Sequence, residues 1–181
     1  MVVSVIEPPE PIISWEEADK HLRLDGGADQ KAYVESLIAV ATGWLDGPTG
    51  WLGRALGEQV LEARYEGWPQ PLRLPCPPEI GIVSVKYVDQ AGVEQNLPLD
   101  GSTVPYDGLP AVRGREGDVR IQYRAGYAAG KVPAPIRHAI LLMVSHLFNN
   151  RDAVTTTAAQ PAVLPMGVEA LLAGFKAPRI G

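Results

Sequence analysis

The stretch VRIQYRAGYAAGKVPAPIRHAILLMVSHLFNN, Val119–Asn150, decides the fold class. It opens by alternating: Val119, Ile121 and Tyr123 against Arg120, Gln122 and Arg124. That period of two is the mark of a half-buried strand. From Pro133-Ala134-Pro135 the period changes. Ile136, Ala139, Ile140, Met143, Val144, Leu147 and Phe148 fall on one face of a helix running to about Asn150, whose first turn tolerates proline. His138, Leu142, Ser145, His146 and Asn149 fall on the other face. Leu142 is an apolar side chain inside a polar stripe, which makes it a candidate subunit contact.

Upstream, Val83, Val85 and Tyr87 alternate with Ser84 and Lys86, Asp89-Gln90-Ala91-Gly92 has turn chemistry, and Val93, Gln95 and Leu97 resume the alternation. This pattern predicts a β-hairpin. Val60–Tyr65 and Leu72–Leu74 are further strand candidates. The middle of the chain, 60–124, is therefore expected to form a small, mostly antiparallel sheet.

Residues 1–12, with Pro8, Pro9 and Pro11, read as an extended arm. Ser14-Trp15-Glu16-Glu17 is a capping-box pattern. It opens a helix to about Leu22, which Asp25-Gly26-Gly27 ends. A second helix is predicted from about Asp29 to Asp46, with Tyr33, Leu37, Val40, Ala41 and Trp44 as its buried stripe. Beyond the long helix, 155–165 is small, uncharged and carries Pro161, as a linker does. In the last segment, 166–181, Val168, Leu171, Leu172 and Phe175 stand at i, i+3, i+4 and i+7. So short a helix is marginal alone in water. The segment is expected to be the principal docking element for a partner; folding back over its own sheet is the competing reading. Leu164, Val168, Leu171, Leu172, Phe175 and Leu142 are the candidate partner interface. The expected fold is α+β: one domain over 1–154, with helices at 14–46 and 133–151 flanking the sheet, then the linker and the amphipathic segment.

Composition narrows the function. With 181 residues the chain can bury a real core, and 46% hydrophobic with 20% charged residues is ordinary for a soluble globular protein. Its longest apolar run, Ala139–Val144, is far below the roughly 20 residues a bilayer span needs. No basic region precedes an apolar stretch at the N-terminus, so no secretory signal is expected. The net charge of −5 argues against a protein that grips DNA through its phosphates. Arg113, Arg115, Arg120 and Arg124 form the basic cluster, interspersed with Glu116 and Asp118, and read as the solvent side of an amphipathic strand.

The sequence shows no site chemistry. His138 and His146 stand eight residues apart, about 12 Å along a helix axis, too far for two ligands of one zinc ion. His21 reads as isolated. The single cysteine, Cys76, reads as a packing thiol. A nucleophile elbow, a P-loop and a dinucleotide fingerprint are all lacking. No catalytic residue, cofactor or metal is expected.

The order of segments resembles the head–tail connector family of long-tailed phages, prophages and gene transfer agents. The resemblance rests on Ile13-Ser14-Trp15-Glu16-Glu17-Ala18 followed by His21-Leu22-Arg23-Leu24-Asp25, on Leu72-Arg73-Leu74-Pro75 with Val83–Asp89, on Tyr123-Arg124-Ala125-Gly126-Tyr127 with Val132–Ile140, and on Leu164–Leu172. It covers nearly the whole chain and is poorest at Gly101–Gly114. It implies a non-enzymatic adaptor of the virion neck that docks under the portal protein as a ring of identical subunits, about twelve. A stopper or tail-completion protein would lie below it, and DNA would pass through the centre without sequence-specific binding. The same resemblance implies assembly in the host bacterial cytoplasm, with no membrane partner. A tail-completion or tail-terminator protein is the nearest alternative. A small ligand-binding module or an enzyme without a recognisable motif is the alternative of another class.

Overall fold

Strands built on the period-two segments pair into one sheet. The computed structural model describes residues 1–24, 28–101, 103–105, 108–150 and 166–178. Its elements are β1 (Val2–Glu7), α1 (Trp15–Leu22), α2 (Lys31–Leu45), β2 (Gln59–Tyr65), β3 (Glu79–Val88), β4 (Glu94–Asn96), β5 (Val119–Ala125), α3 (Ala134–Asn149) and α4 (Met166–Leu172). The five strands run in the order β1-β2-β5-β3-β4, every pair antiparallel. The α+β class expected from the sequence is what the chain adopts.

The extended arm is a strand over part of its length. Val2–Glu7 pairs with β2, Val3 opposite Ala63 and Val5 opposite Leu61, and Pro8 ends it. The hairpin forms where its turn chemistry lies: the Asp89 carboxylate accepts the Val93 amide at 2.9 Å, and β3 runs back along β4. Its predicted inward stripe is corrected at Val83. A register irregularity between Ile82 and Ser84 turns Ile82 and Val85 inward and leaves Val83 exposed, as a bulge does when it inserts one residue. Leu72–Leu74 is not a strand; Leu74 is core without a ladder.

Two apolar cores result. Leu61, Ala63, Ile82, Val85, Val119, Ile121, Tyr123 and Ala125 face inward from the sheet. Loop residues, among them Leu74, Cys76 and Val104, cover them rather than a helix. The Tyr123 hydroxyl donates to the Pro75 carbonyl at 2.8 Å and Trp68 Nε1 to the Pro110 carbonyl at 2.8 Å, so the aromatic cores keep their polar ends satisfied. The helices bury a core of their own from α1, α2, α3 and α4, with Ile12, Ile13, Leu52 and Leu56 from the loops. α1 begins on its Ser14 cap, whose hydroxyl accepts the Glu17 amide at 3.2 Å. The Glu17 carboxylate, instead of closing the box, receives the Arg137 guanidinium of α3. The predicted stop at 25–27 lies outside the described residues.

Of the stripe expected to be buried on α2, Ala41 is core and Leu37 packs against it, but the rest faces outward. Val34, Ile38, Ala41 and Leu45 enter the core, while Tyr33, Val40 and Trp44 are exposed. Both sets have helical spacing and lie one residue apart, about 100° around the axis. The packing of α2 on α3 selects between them. On α3 the buried face also takes in Leu141, next to the predicted Ile136, Ala139, Ile140, Met143 and Val144.

A short segment joins the two cores. The Asp46 carboxylate at the end of α2 accepts the Leu56 amide at 2.6 Å and Gln59 Nε2 at 3.1 Å. Farther on, Gly126 has φ +116°, and a Cβ there would lie 2.0 Å from the Gly57 carbonyl oxygen. Only glycine lets β5 leave the sheet at that point.

Candidate interaction surfaces

The structure places the predicted interface residues in three situations. Leu164 lies outside the described residues. Val168 and Leu172 are fully buried, and their partners are the chain's own helices. Leu171, Phe175 and Leu142 are half-buried, with Phe175 and Leu142 packed against the same helical core. For Val168 and Leu172 the expectation of a surface kept open for a partner is corrected. A short amphipathic helix needs apolar cover, and α3 supplies it in the single chain, where the sheet had been the expected site of any fold-back.

Polar ties hold the same segment. The Ala177 amide donates to the Leu52 carbonyl at 2.9 Å, and Arg54 Nε donates to the Phe175 carbonyl. The Lys176 ammonium stands 4.5 Å from the centre of the Trp51 ring, within cation–π range.

Three of the four arginines of the basic cluster, Arg113, Arg120 and Arg124, are ion-paired. Arg113 Nη2 donates to Asp118 Oδ1 at 2.7 Å, and the same carboxylate accepts the Arg115 amide at 2.7 Å. The Arg113 guanidinium holds the Asp118 carboxyl below its ordinary range. Arg120 pairs with Glu94, which Lys86 also meets at 3.2 Å, and Arg124 pairs with Glu58 at 3.3 Å. The solvent-side reading therefore stands, with a correction to the partners: Glu94 and Glu58 join Asp118. These two acids come from other strands and loops, beyond the reach of a local reading. A lattice of alternating signs gives little of the single-signed field that draws in nucleic acid.

The titratable groups that could carry chemistry are structurally employed. Burial, helped by the nearby Asp46 carboxylate, pushes the Cys76 thiol up to about 11. Burial also raises the Tyr123 hydroxyl far above its ordinary value and raises Asp46 against the hydrogen bonds of Leu56 and Gln59. His21 is not isolated: its ring meets that of His138 edge to face at 6.2 Å. Among the described residues no group of three His, Cys, Asp or Glu side chains is placed to hold a metal ion. No helix among them is long and apolar enough to cross a membrane.

No protein-family model and no curated protein matches the sequence. Solved structures do match its fold over nearly full length. A chain in the neck of an empty gene transfer agent particle, computed with C6 symmetry, superposes with a TM-score of 0.70 at 20% identity, covering 99% of this chain and 97% of that one. A chain in the virion of a native gene transfer agent particle gives 0.66 at 21% identity, with the same coverage. One in the neck of a native particle, computed with C12 symmetry, gives 0.58 at 19% identity. Two of these chains thus lie in the necks of gene transfer agent particles and one in a virion, and at 19–21% identity the likeness is one of fold.

Proposed function

We propose that the chain is a structural adaptor of a virion neck: it binds under the portal as a ring of identical subunits and joins the DNA-filled head to the tail. The observation that carries this reading is the end-to-end likeness to a neck chain, 99% of one against 97% of the other. Two features of the chain support it. The buried thiol and ion-paired carboxylates are occupied in holding the fold. The net charge of −5 with paired arginines suits a wall past which DNA slides without sticking.

The test is electron microscopy of the neck in particles that carry a tagged copy of the chain. The expected result is tag density in a cyclic layer between portal and tail. A single copy, a two-fold dimer, or density on the tail tube alone would refute the adaptor reading, the last in favour of a tail-completion protein.

A further inference from the structure

We propose that Asp100-Gly101 is a site of spontaneous backbone modification, where the aspartate closes to a succinimide and reopens as isoaspartate; the inference is independent of the neck reading. Asp-Gly steps stand at 25–26, 46–47, 100–101 and 107–108. Residues 25, 26 and 107 lie outside the described residues. The structure therefore sets Asp46-Gly47 against Asp100-Gly101.

The chemistry is internal to the chain. The glycine nitrogen gives up its proton and attacks the Cγ of the aspartate before it. An N–C bond forms, the C–O bond of the carboxyl group breaks, and its hydroxyl leaves with a proton as water. Water then adds to one carbonyl of the ring. Opening at the former main-chain carbonyl routes the chain through the aspartate side chain. One water is lost and one regained, and nothing is oxidised or reduced. Glycine favours the attack because it has no Cβ to obstruct it. The nitrogen and the carboxyl group must both be free to move toward each other.

The two steps share a backbone conformation and differ in bonding. Gly47 and Gly101 have φ of +78° and +62°, and a Cβ on either would meet nothing within 4 Å. At 46–47 both reactants are held. The Gly47 amide donates to the Arg54 carbonyl at 2.7 Å, and the Asp46 carboxylate accepts the Leu56 amide at 2.6 Å and Gln59 Nε2 at 3.1 Å. Burial raises the Asp46 carboxyl, which by itself favours loss of hydroxyl, but these bonds must break first. At 100–101 neither reactant is held. Both residues are exposed, and among the described residues the Asp100 carboxylate and the Gly101 amide have no hydrogen-bond partner. The turn is fastened by another group: the Asp100 carbonyl accepts the Thr103 amide at 3.2 Å and the Thr103 hydroxyl at 2.7 Å. The product keeps one carboxylate and lengthens the main chain by one carbon, just ahead of Val104 in the sheet core.

The experiment ages the full-length chain at pH 6 and 37 °C, folded and in guanidinium chloride, and maps isoaspartate by peptide mass spectrometry with electron-based fragmentation. In the folded chain isoaspartate is expected to accumulate at 100 and to form at 46 at least about tenfold more slowly. That factor is about 1.4 kcal/mol, the strength of one hydrogen bond that must be broken before reaction. In guanidinium chloride, which removes the bonds at 46, the two rates are expected to converge. Absence of isoaspartate at 100 in the folded chain, or formation at 46 that keeps pace with it, would overturn the inference. So would a lag at 46 that persists in the unfolded chain, which would assign the protection to the local sequence before Pro48 rather than to the fold.

Discussion

Replacing Leu172 by alanine asks whether α4 belongs to the cooperative fold or is held ready for a partner. Leu172 is fully buried in the helical core together with Val168, and Ala177 and Phe175 just beyond it are tied to Leu52 and Arg54. Leucine-to-alanine changes at such sites cost about 2–5 kcal/mol, less where the surroundings can close on the cavity. A seven-residue helix at the end of the chain can settle inward, so we place the loss at about 3 kcal/mol. In a chain of this size that lowers the thermal midpoint by about 6–12 °C, at 2–4 °C for each kcal/mol. Leu171, half-buried on the same helix, is the matched control and should lose about 1 kcal/mol. Urea unfolding followed by circular dichroism measures both. If Leu172→Ala falls within about 0.5 kcal/mol of wild type, the ordinary range of surface changes, the reasoning fails. A chain ended after Ala162 that keeps the wild-type midpoint would refute it again, and would restore 166–181 as a segment reserved for a partner.

Three further outcomes follow from named contacts. Gly126→Ala should abolish soluble expression at 37 °C, because its Cβ would overlap the Gly57 carbonyl at a φ of +116°; a soluble variant with a wild-type melt would contradict this. Asp118→Asn should flatten the acid limb of stability. Held by Arg113 below its ordinary 3.8, the Asp118 carboxylate stabilises the fold above that value, and the contribution is lost as pH falls through the lower folded value. Thermal midpoints of wild type and variant should therefore converge as pH falls below the ordinary carboxylate range, and equal slopes for the two would dismiss the pairing as a source of stability. Cys76 should react with a thiol reagent at pH 8 only after urea is added, since burial lifts its pKa to about 11 and encloses it; prompt labelling of the folded chain would show that the site opens.

The sequence by itself determined the elements whose signals are local. The change of period between Val119–Arg124 and Ile136–Phe148 fixed a strand and a helix, and the turn at 89–92 fixed a hairpin. Ser14 fixed the start of α1, because a cap is read within three residues. It could not choose between the two seams of α2, since Val34/Ile38/Ala41/Leu45 and the expected Tyr33/Leu37/Val40/Ala41/Trp44 are both apolar at helical spacing and share Ala41. Packing against α3, far along the chain, made that choice and left Val40 and Trp44 exposed. Period two likewise could not show the bulge that expels Val83, nor that Val2–Glu7 pairs with a strand beginning at Gln59. The amphipathic spacing of 166–178 pointed to docking on a partner, with fold-back over the sheet as the competing reading; the segment instead packs on the chain's own helices. Periodicity states which face of a segment must be covered; the chain in three dimensions states by what, because the covering residues are distant in sequence and the free energy that selects them is the burial of apolar surface between them.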